Sequence, residues 1–387
     1  MLDNRDFIPL SIPHLAGREW EYVKDCLDTG WVSSVGSYVN KFEEEFAKVV
    51  STNYAVACSN GTTALQVALQ CCGVQPGDQV LVSDLTFIAS ANAISHLGAT
   101  PIFIDAEPRY WQMDPAEVAD YLGNECTFTK GETFHKASGQ RVKAVMPVHI
   151  LGIPVDLNPI LELAQEYNLA VVEDATESLG ATYHHHCVGS IGDMAAFSFN
   201  GNKLITTGGG GMITTNNPEL AKRAKHLTTT AKIDPVEFIH DEIGYNYRLV
   251  NLLAAVGVAQ LEQLPTFLAK KKEIASWYQE LLKDNHDIHL MTEPDYGKSA
   301  NWLYTVKFPH RSWRSIQKTL EDNQIQTRPL WQCLHQSPAY KHLTQKECPI
   351  ATHLQNECLS LPCSISLTQD QAERVATQLQ IALKQVE

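Results

Sequence analysis

Short apolar runs alternate with segments of helical spacing along the first two thirds of the chain. Tyr54–Cys58 reads as a strand, and Thr62–Cys72 sets Leu65, Ala68 and Leu69 at helical intervals before Gly73 supplies a stop. Further runs at Gln79–Ser83, Pro101–Asp105, Val142–Ile150, Leu169–Glu173, Ala195–Phe199 and Gly211–Thr215 predict strands, several separated by helical stretches such as Asp156–Tyr167. Because these runs are nearly continuous in apolar character, both faces of the sheet they form should be covered, as in a mostly parallel α/β sheet. After Leu249 the pattern becomes a long helix, interrupted at Pro265 and continuing through Ala275, Tyr278 and Leu282. A domain boundary is placed there, giving a large domain over 1–249 and a linking helix with a smaller α/β domain over 250–387. The smaller unit offers a strand at Trp302–Phe308, a helix near Ser312–Glu321, and a last helix opened by Thr368 and Gln371 at capping-box spacing.

The length of 387 residues is ample for two domains, and 44% hydrophobic with 19% charged residues excludes a disordered chain or a charged coiled coil. No uninterrupted apolar run approaches the length of a membrane span, and Met1 to Pro9 carries charges where a leader would be apolar, so a cytoplasmic location is expected. A formal charge of −14 opposes nonspecific nucleic-acid binding. The 10 cysteines show no CxxC pair, so reduced thiols are expected, and no metal site is assigned. His184–His186 beside Cys187 suits a surface turn better than a metal centre, and Lys270–Lys272 reads as a solvated helix face.

Three segments carry chemistry. Cys58–Ala64 puts small polar residues between a strand and a helix start, where free amides and a Thr hydroxyl can hold a phosphate, although an ordinary capped turn has the same composition. Val171–Glu177 runs an apolar strand into Glu173 and Asp174, at the strand end where ligands collect in open α/β sheets. A buried Asp there needs a partner such as a metal, an Arg or a protonated heterocycle. Phe197–Lys203 followed by Gly208–Gly211 presents Lys203, a candidate nucleophile toward an aldehyde cofactor, beside glycines that let the backbone approach a ligand. No Gly-Lys-Ser/Thr follows those glycines, so they are no Walker loop. A phosphate cradle, a strand-end Asp and a strand-end Lys together match the needs of pyridoxal 5'-phosphate.

These motifs, with Gly244–Leu249, Gly30–Gly36 and Pro147–His149, resemble in order those of the DegT/DnrJ/EryC1/StrS family of sugar-nucleotide aminotransferases along nearly the whole chain. The resemblance implies the fold type I architecture of aspartate aminotransferase and a homodimer with active sites at the subunit interface. By motif position, Lys203 resembles the lysine that carries the cofactor and moves the proton, and Asp174 the partner of the ring nitrogen. Gly61, Thr62, Thr63 and Ser198 match the surroundings of the phosphate, and Asn246 matches an asparagine delivered to it by the other subunit. Phe87 matches an aromatic stacked on the ring, with core packing as its bland alternative. Glu177 stands where many relatives have Gln or His, which leaves its role open. Trp31, Ser34, His149, Arg328 and Trp331 are candidate substrate contacts.

The implied reaction moves an amino group from L-glutamate to C4 of a nucleotide-linked 4-keto-6-deoxy sugar, a UDP-linked N-acetylhexosamine derivative by resemblance, in bacterial surface-polysaccharide biosynthesis. GDP-perosamine synthesis and sugar 3-amination are the alternatives. Sugar dehydratases of this fold carry histidine at the position of Lys203. A noncatalytic regulator commonly adds a DNA-binding domain, for which no segment is evident. A nucleotide-sugar oxidoreductase should show Gly-x-Gly-x-x-Gly between strand and helix, a setting residues 208–211 lack.

Overall fold

The computed structural model describes residues 6–343 and 346–385. Seven strands form the central path: β1 (Tyr54–Cys58), β2 (Gln79–Ser83), β3 (Thr100–Ile104), β4 (Arg141–Met146), β5 (Ala170–Asp174), β6 (Met194–Ser198) and β7 (Gly211–Thr215). Their order is β1-β7-β6-β5-β4-β2-β3, parallel except for β7, which runs antiparallel to both neighbours; a hairpin over 126–135 attaches to β4. Alternation along the strands feeds two cores. Ala144, Met146, Val172 and Ala196 face one, whereas Val145, Val171, Ala195 and Phe197 face the other. Both faces of the sheet are thus covered, as the uninterrupted apolar runs require.

Helices α1 (Glu19–Thr29), α2 (Ser37–Val49), α3 (Gly61–Cys71), α4 (Ala89–Ser95), α5 (Leu157–Glu166) and α6 (Pro218–Thr228) precede a long helix, α7 (Asn251–Leu282). α7 runs through Pro265 as one helix, where the sequence reading expected an interruption before the pattern continued. An interior proline costs about 3 kcal/mol. Leu261, Leu264 and Phe267 around it are buried, and at about 1.5–3 kcal/mol each their burial outweighs that cost. α7 is also long and apolar enough to cross a membrane by composition, but it packs on α1 and α2 and then on the last helix, with half of that apolar window buried.

Beyond α7, short strands β8 (His289–Leu290), β9 (Tyr304–Lys307), β10 (Arg328–Pro329) and β11 (Cys358–Leu361) form an antiparallel sheet in the order β8-β9-β11-β10. It is flanked by α8 (Trp313–Asp322), α9 (Pro349–Glu357) and α10 (Gln369–Gln385). The predicted capping box is formed: Gln371 N–H donates to Thr368 Oγ1 at 3.3 Å and Thr368 N–H donates to Gln371 Oε1 at 3.1 Å.

Two local expectations fail. The strand predicted over 142–150 ends at Met146, because Pro147 cannot donate to a ladder and the chain turns into a short 3-10 segment at Ile150–Gly152. Lys271 is not solvated. It is 3% exposed, and its ammonium donates to the carbonyls of Trp302 and Cys363 at 2.7 and 2.6 Å. His184 and His185 do form a turn, both with positive φ, between the paired segments Thr182–Tyr183 and His186–Cys187.

Candidate active site

The chemistry-bearing segments meet at the C-terminal ends of β5 and β6 and the N-terminus of α3, around a cavity of about 390 Å³. Gly61, Thr62, Phe87, Asp174, Glu177, Ser198, Lys203, Arg328 and Trp331 all line it. Residues nearly 270 positions apart therefore share one wall, with β10 bringing Arg328 across from the C-terminal sheet.

The phosphate cradle starts at the Asn60 N-cap, whose Oδ1 accepts the Thr63 amide at 2.9 Å. The amides of Gly61 and Thr62 precede the first helical hydrogen bond and have no partner among the described residues, so they present the positive end of the helix to the cavity. A Cβ built on Gly61 would lie 2.9 Å from Ser198 Cβ, so the turn and the Ser198 hydroxyl close on each other only with glycine there. Thr63 departs from expectation. Its hydroxyl donates to Asn60 O at 2.9 Å and it does not line the cavity, because successive residues of a helix face different directions. The glycine run has two uses: Gly209 and Gly210 line the cavity, whereas Gly211 passes so close to the cradle that a Cβ would meet Asn60 O at 2.4 Å.

Asp174, 2% exposed, accepts the Ser90 hydroxyl at Oδ2 (2.7 Å) and the Thr176 amide at Oδ1 (3.1 Å). Among the described residues no Lys or Arg lies within ion-pair distance of it. A buried carboxylate on a cavity wall without a cationic partner suits a protonated ring nitrogen. Glu177 accepts the Leu151 amide at 2.9 Å and stands 3.5 Å from Lys203 Nζ. Burial pushes its carboxyl up to about 7, with Asp174 adding to the rise and Lys203 and the Leu151 amide opposing it. Lys203 Nζ also lies 4.1 Å from the centre of the Trp302 ring. Phe87 is 55% exposed at the cavity wall, which excludes core packing as its reason for being aromatic. The donor set therefore fits pyridoxal phosphate at its phosphate, its ring nitrogen and its aldehyde.

Four expected contacts lie elsewhere. His149 is fully buried, with Nδ1 accepting the Val155 amide at 3.0 Å and Nε2 facing Glu173 at 3.2 Å. Both ring nitrogens are used inside the protein, so His149 is not a substrate contact. It joins the amides of Gly189, Ile191 and Gly192 in holding Glu173 as a carboxylate; burial works to raise that group, and these donors bring it below its ordinary value. Trp31 is 56% exposed and outside the cavity, tied down through its carbonyl to Asn251 Nδ2 at 2.7 Å. Ser34 receives Arg248 Nε on its carbonyl at 3.0 Å, also outside. Asn246 is exposed on the surface, in a segment bridged to Thr229.

Sequence reading missed Ser90, Leu151 and Trp302. Trp302 opens a predicted strand, and Ser90 follows Phe87 by three residues in an ordinary helix start; neither position carries a local chemical signal. Leu151 acts through its amide, which no side-chain pattern reveals.

Fold and site define a pyridoxal-phosphate-dependent aminotransferase. Residues 13–380 match the model of the DegT/DnrJ/EryC1/StrS aminotransferase family, and the chain belongs to that family. It is 39% identical over 378 residues to GDP-perosamine synthase of Caulobacter vibrioides, covering 96% of this chain and 97% of the relative. It is also 39% identical to GDP-perosamine synthase of Escherichia coli O157:H7 over 94% of this chain and 95% of that one. Among solved structures, the aminotransferase TlmJ from Streptoalloteichus hindustanus superposes with a TM-score of 0.89 at 28% identity, over 98% and 99% of the two chains. The chain is thus a sugar-nucleotide aminotransferase of glycan biosynthesis, with a nucleotide sugar and an amino donor as substrates.

Proposed function

We propose that the enzyme transfers the amino group of L-glutamate to C4 of a nucleotide-linked 4-keto-6-deoxy sugar. The observation that carries this reading is the convergence of Lys203, Asp174 and the free amides of Gly61 and Thr62 on one cavity. Two nucleotides are in play. The Trp31–Gly36 and Arg328–Trp331 stretches resemble those of C4-aminating enzymes, a UDP-linked N-acetylhexosamine derivative is what the family resemblance implies, and a GDP-linked sugar is favoured by the two relatives named above.

When bound, pyridoxal phosphate supplies an electron-accepting ring and an aldehyde carbon. Gly61, Thr62 and Ser198 would hold its phosphate, Asp174 its ring nitrogen, and Phe87 its face. Lys203 takes a proton from the donor's α-carbon on Nζ and returns one to the sugar carbon that receives nitrogen. Burial of Asp174 beside the Ser90 hydroxyl fixes the carboxylate in place, so no solvent rearrangement is needed as charge develops. Arg328 is, among the described residues, the one guanidinium on the wall and would meet the substrates' anionic groups, with Trp331 beside it.

The exposed position of Asn246 supports a homodimer in which this residue completes the neighbouring site; Trp31 and Ser34 could touch substrate only in such an assembly. The division of the chain near 249/250 and a cytoplasmic location belong to the same reading. The test is direct. Purified protein with added pyridoxal phosphate should show a visible absorption band that is lost in Lys203→Ala. Incubation of UDP-, GDP- and dTDP-linked 4-keto-6-deoxy sugars with glutamate, followed by mass and NMR analysis, should give one preferred 4-amino product. A 3-amino product would overturn the carbon assignment.

A further inference from the structure

Among the described residues, four charged side chains line the cavity: Asp174, Glu177, Lys203 and Arg328. Two of them meet, with Lys203 Nζ 3.5 Å from Glu177 Oε1, and the same nitrogen lies 4.1 Å from the centre of the Trp302 ring. A carboxylate and an indole face both favour an ammonium over a neutral amine.

Both supports are themselves held. Glu177 Oε2 accepts the amide of Leu151, a non-glycine residue at φ 61, a conformation that costs energy and persists only where the surroundings enforce it. The next residue, Gly152 at φ 87, packs so closely on the chain at Trp302 that a Cβ would lie 3.0 Å from the Trp302 amide nitrogen. Trp302 Nε1–H donates to Asn202 O at 2.8 Å, its carbonyl accepts Lys271 Nζ at 2.7 Å, and its ring stacks within 7° of Trp331. One loop therefore braces both the carboxylate and the backbone that carries the indole, and Lys271 on α7 holds that backbone at the Trp302 carbonyl.

We propose that Glu177 and Trp302 form a cation seat for Lys203: they are positioning residues that hold its ammonium within the cavity in the interval between Nζ taking up a proton and passing it on. The inference rests on the aminotransferase reading and gives Glu177 a specific task. From the seat, Lys203 acts as an acid: an Nζ–H bond breaks, its electron pair stays on nitrogen, and the proton goes to the sugar carbon that receives the amino group, where the bound cofactor would supply the electron pair of the new C–H bond. Asp174 and Arg328 are the other charged groups facing this space.

The test uses the full-length chain without added pyridoxal phosphate. Acylation of Lys203 by acetic anhydride at about pH 8 is followed by peptide mass spectrometry, because only the neutral amine reacts. Glu177→Gln should speed labelling of Lys203 by about tenfold, since a close anion no longer favours the ammonium. Trp302→Leu should speed it by about threefold, whereas Trp302→Phe, which keeps an aromatic face, should stay near the parent rate. Circular dichroism confirms that each variant is folded, and the tryptophan pair decides the matter if Glu177→Gln is not. Unchanged or slower labelling in Glu177→Gln and Trp302→Leu would overturn the seat. The absorption band lost in Lys203→Ala tests the cofactor reading separately, so either idea can fail alone.

Discussion

The Ser90 hydroxyl donates to Asp174 Oδ2 at 2.7 Å, in a site where Asp174 has no cationic neighbour among the described residues. The carboxylate is therefore oriented by neutral donors and left free to pair with a positive ring nitrogen. Asp174→Asn keeps the shape and an acceptor for Ser90 but removes the charge. Turnover should fall by more than about 100-fold while the thermal midpoint changes little, a loss of the size seen when a preorganised charge is removed from a site. Steady-state kinetics beside a melting curve checks this.

The cradle makes a second, steric prediction. With a Cβ on residue 61 set 2.9 Å from Ser198 Cβ, Gly61→Ala must push the turn away from β6. Overpacking of this kind costs about 1–3 kcal/mol, so affinity for pyridoxal phosphate should drop by about tenfold or more. An absorption titration with the cofactor measures it. Unchanged affinity would place the phosphate elsewhere.

How much of this was readable from sequence follows from what each signal depends on. The strands of the central sheet were legible because burial on both faces demands continuous apolar runs, and Lys203 and Asp174 because their motifs end such strands. Thr63 was misread for a geometric reason. It is adjacent to Thr62, yet helix rotation turns one hydroxyl to the cavity and the other to Asn60. Lys271 failed because its partners are distant backbone carbonyls, and His149 because the Val155 amide and the buried Glu173 carboxylate that occupy its ring nitrogens leave no mark on a linear pattern. Trp302 was invisible since its place over Lys203 is set by packing between the C-terminal sheet and the loop at 150–152.

Lys271 yields a stability prediction. Its ammonium satisfies two buried carbonyls, of Trp302 and Cys363, with no carboxylate partner among the described residues. Lys271→Met fills the space but leaves the Cys363 oxygen without a donor and the Trp302 oxygen with only the Cys363 thiol at 3.5 Å, at about 1–3 kcal/mol for an unsatisfied group, offset by relief from burying a charge. A net loss of about 2 kcal/mol in urea unfolding is expected. If the variant is as stable as the parent, water replaces the ammonium and the lysine is dispensable for folding.

Glu177 links stability to pH, with a sign fixed by its rise from an ordinary carboxylate value to about 7. A carboxyl raised on folding contributes stability that is fully present below its unfolded value and lost as pH climbs through the folded one. The size is on the order of 3 kcal/mol. Without added cofactor, the thermal midpoint of the parent should therefore fall between about pH 5 and pH 8 more steeply than that of Glu177→Gln, which has no proton to lose there. Parallel curves would mean that the carboxyl titrates normally.

The exposed Asn246, in a segment whose neighbour Tyr247 pairs with the Ser59 amide at 2.7 Å, leads to a test of composite sites. If each cavity takes Asn246 from the other subunit, Lys203→Ala and Asn246→Ala chains are each defective alone. In a mixed dimer, the chain retaining Lys203 faces a partner that retains Asn246, so one of its sites is whole. Random pairing at equal amounts makes half of the dimers mixed, and activity should return to about a quarter of the parent level. Subunits exchanged by dilution and reconcentration, then assayed with glutamate and the preferred keto-sugar, give the number. Full activity of Asn246→Ala alone, with a mixture no more active than its content of that chain accounts for, would mean that each chain builds its site unaided.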